Sequence, residues 1–561
     1  MSKFKHSNTK RRGSVVYGSV GKGGLFLPQD FSDQPDLDED QQPLITPQSP
    51  GLAHHSDIRD ELVAQEREFL SDLNLHPPAD DSDVNSMFSE ALLSQHLDGT
   101  TAKIETKALA KASIPLVATF VLQNSLSTVS VFTVGHLGAA ELAAVSMGAM
   151  TANIMGYATI QGIATSLDTL CPQAFGAGNY KLVGTYMQRC IAIIFLVMAP
   201  ILASWVFWGD GLLSIVVPDP ATAHLAGVYL RDVAPGVPAY IVFECGKRFL
   251  QAQGIYHVST LCLLVAAPLN LVMNVVLVNW WGYQGAPIAV AINYWIMAFL
   301  LLYFTIYRMP ASKTPSGLDP KECWPGFDWK NIFSGWGNLI SLAIPGLVML
   351  EAEFLSFEIM TLMASHLGTI NLAAQSIGAT LASLTYQVPF AVGIAASTRI
   401  ANFLGAGLAK NAHKTTQVAL AFGAIVALLN FGVVYFGKDF IARLFTNDRR
   451  VIKTLHKVIW LIALMQVVDG MNAVSAGCLR GQGQTKIGGV VNLLAYYVVG
   501  LPLSMWLTFY SPWKGTLADI WVGFVVALLI ISGVQSTVAL RSDFGRLVAM
   551  AKVRGGAFVG H

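Results

Sequence analysis

HLGAAELAAVSMGAM, residues 136–150, returns as HLGTINLAAQSIGAT at residues 366–380, with nine of fifteen positions identical. The copies lie 230 residues apart, and at that spacing Ile114-Pro115 meets Ile344-Pro345. Further on, FGAG (175–178) meets LGAG (404–407), and FLQAQG (249–254) meets CLRGQG (478–483), both at a spacing of 229. Four matched stretches in one order mean that the chain contains one structural unit twice.

Around these copies the chain is apolar. Of its 561 residues, 53% are hydrophobic and 13% charged, against ~25% charged in soluble domains. Twelve apolar stretches follow one another, at about 108–135, 139–166, 183–208, 222–246, 256–280, 285–307, 337–365, 371–397, 412–437, 451–478, 486–509 and 516–540. Each is near or above the ~20 residues that a helix needs to cross a bilayer. Only structures that satisfy their own backbone can do this repeatedly. The expected fold is therefore an all-α polytopic membrane protein of twelve transmembrane helices in two pseudo-symmetric six-helix lobes. Six is an even number, so both lobes enter the membrane from the same side, a parallel repeat of the kind transporters use around a central site.

Charge divides the chain differently. Residues 1–100 hold 17 acids and 8 Lys and Arg, leaving 18 acids and 28 bases in the remainder. The first part is rich in Ser, Pro, Gln, Asp and Gly and reads as a disordered acidic cytoplasmic tail. Within it, 56–73 has the spacing of a transient amphipathic helix. The expected divisions are 1–100 tail, 101–308 N-lobe, 309–335 cytoplasmic linker, 336–545 C-lobe and 546–561 a short C-terminal tail. Residues 1–24 have no apolar core of a signal peptide, so insertion is expected to rest on the first internal apolar segment. Lys and Arg gather after the even-numbered segments, among them Lys181, Lys247, Arg248, Arg399, Lys410 and Arg480. By the positive-inside rule both termini are cytoplasmic. The stretch 437–457 departs from the rule, with six Lys and Arg on the predicted outer side.

Carboxylates inside apolar segments stand out. VMLEAEFLSFEIM (348–360) carries Glu351, Glu353 and Glu358. Each charge costs ~2.5–3.5 kcal/mol at a helix centre even on insertion scales. Glu351 and Glu358 are seven apart and share a face, while Glu353 points elsewhere at ~100° per residue. Few bases fall within the predicted spans, so the three acids are expected to face an aqueous cavity or to bind protons. Asp469 is a second intramembrane acid, with Asn472 one turn on. Gln123 and Asn124 are neutral polar residues in the first segment, placed either to contact substrate or to tie helices together. Glu244, one turn from Lys247 and Arg248, reads as half of a cytoplasmic-end ion pair.

Several classes are excluded. The six cysteines, at 171, 190, 245, 262, 323 and 478, form no CxxC pair and no His cluster joins them, so neither a disulfide framework nor a metal site is signalled. No cofactor is implied. CLRGQGQTKIGG does not fit the phosphate-loop pattern and reads as a glycine turn between helices 10 and 11. No ATPase motif drives transport, which leaves an ion gradient. A membrane-embedded transferase needs a His/Asp or Asp-rich motif at a membrane face, and none is present, so the chain reads as no enzyme. Nothing points to nucleic acid or to an obligate protein partner. The expected partners are the lipid bilayer and a coupling ion; a small organic substrate, and H+ or alternatively Na+ as that ion, are what the family resemblance of the following motifs implies.

SLDTLCPQAFGAG, IPGLVMLEAEFLSFEIM and CLRGQGQTKIGGVVNLLAYYVVGLPL together resemble the multidrug and toxic compound extrusion (MATE) family, in its eukaryotic branch, over about 105–545. The long acidic tail is similar to that of fungal members. The resemblance implies two lobes around a cavity, exporting or sequestering organic compounds, cationic or zwitterionic, in exchange for protons or sodium. It matches Glu353 and Glu358 to two helix 7 glutamates, Asp469 to a helix 10 acid and Gln123 to a helix 1 glutamine, so Glu353, Glu358 and Asp469 are the expected proton-coupling residues; Gln123 and, from their positions in this sequence, Asn124, Glu351 and Asn472 are the expected substrate-binding ones. Glu351 is extra to the family pattern, and Pro172 and Phe175 stand where Gly and Tyr are common. The first helix lacks the aspartate of many prokaryotic members, which moves the expected coupling to the C-lobe. A flippase for lipid-linked glycans shares the fold but favours a cationic cavity. DQQPLI (40–45) resembles an acidic dileucine signal, which favours the vacuolar over the plasma membrane, and RRGS (11–14) resembles a basic-directed phosphorylation site on Ser14.

Overall fold

The computed structural model describes residues 100–555, apart from 136, 215–218, 311–313, 315–317, 328, 447 and 512–514; of residues 1–99 it describes Arg67 alone. The tail, the 56–73 stretch, the dileucine-like motif and Ser14 lie outside the described residues. So does 556–561.

The described residues are helical throughout, with no strand among them. The N-lobe helices are α1 (Ala102–Val134), α2 (Ala139–Thr151 continuing to Leu167–Gly176), α3 (Tyr180–Ser214), α4 (Pro220–Val233 with Val237–Ala252), α5 (His257–Trp281) and α6 (Gly285–Tyr303). The C-lobe helices are α7 (Gly337–His366), α8 (Thr369–Gly405), α9 (Ala409–Phe436), α10 (Arg449–Gln482), α11 (Thr485–Tyr510) and α12 (Leu517–Arg541). A thirteenth, α13 (Phe544–Arg554), closes the chain. Nine stretches among the described residues are individually long and apolar enough to cross a membrane. One of them, His257–Arg308, holds both α5 and α6. The interrupted helices α2 and α4 bring the spanning total to twelve.

The repeated motifs have a backbone reason. Gly178 and Gly407 end α2 and α8 with φ of 77° and 84°, and Gly254 and Gly483 end α4 and α10 with φ of 77° and 70°. Only glycine adopts that left-handed conformation without steric cost. After each, the same wrap-around bond closes the last turn: Asn179 N–H to Ala174 O, Leu408 to Phe403, Ile255 to Leu250 and Gln484 to Leu479. Pro115 and Pro345, at matching places, both lie inside their helices.

Two differences from expectation bear on the site. Several helices run on beyond their apolar stretch: α1 starts at Ala102, and α2, α4, α8 and α10 continue to Gly176, Ala252, Gly405 and Gln482. Hydropathy cannot see these extensions because they are polar. In consequence Lys247, Arg248, Arg399 and Arg480, expected as loop charges, are buried. The orientation argument keeps the exposed Lys181, Lys410, Lys414 and Lys486. The stretch that departs from the charge rule contains a short amphipathic helix, Lys438–Phe445, whose Phe440 and Leu444 are exposed. This is the pattern of a helix lying at a membrane surface.

Candidate functional site

α7 crosses the C-lobe with Glu353 turned away from the face that Glu351 and Glu358 share, as a ~100° step per residue requires. Glu353 turns into the lobe. It lies within electrostatic reach of Asp469 on α10, and Tyr386 of α8 and Tyr496 of α11 feel both acids. Asp469 is buried, with Asn472 facing its carboxyl from one turn on. Neither acid forms an ion pair among the described residues. Asp469 Oδ1 and Asn472 Oδ1 are buried with no hydrogen-bond partner. A widened π-helical stretch, Leu494–Gly500, interrupts α11 where Tyr496 and Tyr497 sit, and such stretches recur where a side chain is re-aimed at a functional site.

Glu351 looks the other way, across the interface between lobes. Its Oε1 accepts from Thr159 of α2 at 3.4 Å, and Tyr497 stands close. Glu358 is half-buried, and no charged partner comes to it among the described residues. Of the three expected coupling acids, Glu353 and Asp469 lie within electrostatic reach of each other, and Glu358 has no charged partner among the described residues.

The N-lobe holds a compensated network instead. Glu244 is fully buried and receives Lys247 Nζ at 2.7 Å, Gln123 Nε2 at 2.7 Å and a close contact from Arg248. Gln123 also donates to the Tyr240 hydroxyl at 3.1 Å, as Gln161 does at 2.7 Å. Tyr157, Tyr240 and Tyr294 pack around one another with ring centres 4.9–5.5 Å apart. The ion pair expected for Glu244 is present, and it reaches further into the lobe than a helix-end contact would. Gln123 is engaged by it. Asn124 donates to Ser383 of α8 at 3.3 Å, joining the two lobes.

At the end of the bundle that carries the linker, the lobes close on each other through the polar helix extensions. Gln173 Nε2 of α2 donates to Gly481 O of α10 at 3.4 Å, and Asn402 Nδ2 of α8 donates to Ala252 O of α4 at 3.5 Å. Both members of each bond are repeat partners of the other pair, so one contact is made twice. A Cβ on Gly176 would overlap the Asn402 carbonyl, and one on Gly405 the Gln173 carbonyl. These repeat-related glycines let the helix ends touch. Arg399 of α8 meets Glu105 of α1 in a two-pronged pair at 2.6 and 3.0 Å, with Thr415 donating to the same carboxylate. Asp168 of α2 contacts Arg248 at 3.2 Å and, across the interface, Arg480 at 3.9 Å. The sequence reading missed this closure because it placed the participants in loops. The two stretches matched at a spacing of 229, FGAG with LGAG and FLQAQG with CLRGQG, were its available signal.

No group of three or more His, Cys, Asp or Glu among the described residues is arranged to hold a metal ion, and all six cysteines are buried and free. Two repeated helical lobes, joined at one end and with buried acids on spanning helices, define a membrane transporter. The MatE family profile matches the chain twice, over residues 115–276 and 345–506. An uncharacterized transporter of Saccharomyces cerevisiae is 42% identical over 84% of this chain and 66% of its own length. Another of Schizosaccharomyces pombe is 38% identical over 80% of this chain and 81% of its own. Multidrug and toxin extrusion protein 2 of Mus musculus is 32% identical over 81% of this chain and 77% of its own. The crystal structure of the eukaryotic MATE transporter AtDTX14 superposes with a TM-score of 0.74, 27% identity, and coverage of 81% of this chain and 99% of that one. The chain belongs to the MATE family of transporters, in its eukaryotic branch.

Proposed function

We propose that this transporter is a proton-coupled antiporter that exports or sequesters organic cations or zwitterions. The observation that carries the reading is the pair Glu353 and Asp469, a half-buried and a buried acid from different helices within electrostatic reach of each other, neither with an ion-pair partner among the described residues. Two carboxylates at close quarters oppose each other's charge, so the site favours a proton or a cation that neutralises them. A cationic substrate and a proton then compete for one charge, and by linkage each weakens the other's binding. Glu358, outside the pair, has a secondary part. Glu351, Asn124 and Asn472 are the proposed substrate contacts, with Gln123 acting through the N-lobe network.

A sodium-coupled reading has one observation of its own: the unpartnered oxygens of Asp469 and Asn472 are hard ligands of the kind a small cation takes. The glycan flippase reading is disfavoured because the unpaired intramembrane charge is acidic. The linker end carries the exposed lysines and is assigned to the cytoplasm, and the vacuolar membrane is the favoured address. The test is proton release. Ethidium added to the purified transporter in weakly buffered solution should liberate protons, and the combined Glu353→Gln and Asp469→Asn chain should liberate far fewer. No release from the unsubstituted chain, with ethidium bound, overturns the reading.

A further inference from the structure

The stretch 437–457 holds six Lys and Arg against two acids, and the proposed transport site uses none of them. At the repeat spacing of 229, residues 208–228 of the N-lobe have two acids and no Lys or Arg. Asp219 and Asp448, matched at that spacing, each cap the helix that follows. The shared fold therefore needs the acid, and the bases are an addition of the C-lobe. They lie at the end of the bundle away from the closure, since α10 begins at Arg449 and its far end meets the N-lobe at Gly481.

Four of the bases share one face of α10. Arg449, Arg450, Lys453 and Lys457 are exposed and fall within an arc of ~100°, at ~100° per residue. Trp460 and Leu464 continue the same face toward the middle of the helix and are exposed as well. The order along the axis is base over ~12 Å, then indole ~4.5 Å further and aliphatic ~6 Å beyond that. This is the sequence of headgroup, boundary and hydrocarbon that a bilayer presents, with tryptophan at the boundary. The short helix Lys438–Phe445 adds a second apolar wall. Ala442 is buried against the protein, while Phe440 and Leu444 turn away from it, 73% and 70% exposed, and Phe436 at the end of α9 is 83% exposed. Apolar side chains so exposed belong in the acyl boundary of a membrane. His456 Nε2 of α10 lies 3.3 Å from Asp439 Oδ1, which keeps the short helix beside α10. Asp448 is taken by Arg450, at 3.5 Å. Among the described residues, Arg443, Arg449, Lys453 and Lys457 have no ion-pair partner.

We propose that the corner between α9 and α10 binds acidic phospholipid of the leaflet opposite the linker. The headgroup phosphate sits against the basic face of α10, and the acyl chains run along Trp460 and Leu464 and under Phe440 and Leu444. Charge complementarity selects an anion, since bases near a membrane surface attract acidic headgroups. The apolar side chains directly below the bases select a lipid over a soluble anion, which would leave them uncovered. The six bases that depart from the charge rule are then a lipid site of the C-lobe alone. This inference stands apart from proton exchange at Glu353 and Asp469.

The test reads which lipid lies at this corner. Leu464→Cys places a thiol on the lipid-facing side of α10, and Val272→Cys places one on the exposed side of α5 in the N-lobe. The six native cysteines are buried, so bimane attaches to the added thiol. The full chain is put in nanodiscs of phosphatidylcholine with a minor share of phosphatidylglycerol, and one lipid or the other carries brominated chains that quench bimane. At Val272→Cys, quenching should follow the bulk composition. At Leu464→Cys, phosphatidylglycerol should be enriched several-fold over bulk. Arg449→Gln, Arg450→Gln, Lys453→Gln and Lys457→Gln together should bring Leu464→Cys to the bulk value. Lys453→Gln with Lys457→Gln gives a milder route should the fourfold chain not fold, and should remove part of the enrichment. Equal quenching at the two positions overturns the proposal, as does enrichment that survives the neutral variants. Enrichment that sodium phosphate removes, and sodium chloride of equal ionic strength does not, assigns the bases to a soluble anion and overturns the lipid site.

Discussion

Glu351, Glu353 and Glu358 share one helix and do three different things. Glu353 enters the C-lobe within electrostatic reach of Asp469, Glu351 reaches Thr159 across the interface, and Glu358 has no charged neighbour among the described residues. Glutamine keeps the shape of each and removes its titration. Uptake assays should therefore find pH-driven transport abolished, or reduced more than tenfold, in Glu353→Gln and in Asp469→Asn, with a smaller loss in Glu351→Gln. Equal losses at 351 and 353 would contradict the division. Gly176 and Gly405 make a second residue-scale case. Ala at either meets backbone of the opposite lobe, and overpacking of this kind costs ~1–3 kcal/mol. Gly176→Ala should lower the melting temperature in detergent by several degrees, while Gly211→Ala, in open space, should not. The acids were legible in the sequence because a charge in an apolar run is conspicuous. Arg480 and Glu105 were not, because a base or acid at the edge of such a run looks the same as one in a loop.

At the scale of elements, the twelve apolar stretches correspond to twelve helices because spanning length and backbone satisfaction leave one solution. Their polar ends were illegible for the same reason, since nothing in hydropathy distinguishes an extension from a turn until the closing glycine is recognised. α13 is the clearest example. Residues from 546 onward read as a tail, yet Asp543 caps a helix that runs to Arg554. It buries Phe544, Leu547 and Ala551, and its end bridges both lobes: Tyr186 donates to Arg554 O at 2.6 Å and Arg554 to Gly483 O at 3.4 Å. Truncation before Asp543 should destabilise the closed end. The expected readout is a lower melting temperature and increased maleimide labelling of Ala252→Cys, a position buried where Asn402 meets its carbonyl. An unchanged labelling rate would reduce α13 to an ornament of the surface.

At the scale of the whole molecule, the repeat read from 136–150 and 366–380 reappears as contacts that each lobe makes once on the other, Gln173 with Gly481 and Asn402 with Ala252. Sequence could show that two units exist. It could not show that they meet through their helix ends, because repeat identity says nothing about the interface between copies. The linker lies along α3, with Gln188 donating to Gly326 O and Arg189 to Asn331 O. Protease added to sealed vesicles should cut within 309–335 from the cytoplasmic face alone; cleavage from the other face would invert the proposed topology. Deleting residues 1–95 should leave transport in purified vesicles near normal, whereas replacing Leu44 and Ile45 with Ala should shift the protein away from the vacuole. The most direct test of proton exchange at Glu353 and Asp469 is substrate uptake into reconstituted vesicles, with a pH gradient and a sodium gradient imposed separately. The account predicts uptake that follows the pH gradient, ignores sodium at fixed pH, and is lost in Glu353→Gln and Asp469→Asn. Uptake that follows sodium at fixed pH, or that persists under a pH gradient in both neutral variants, would contradict it.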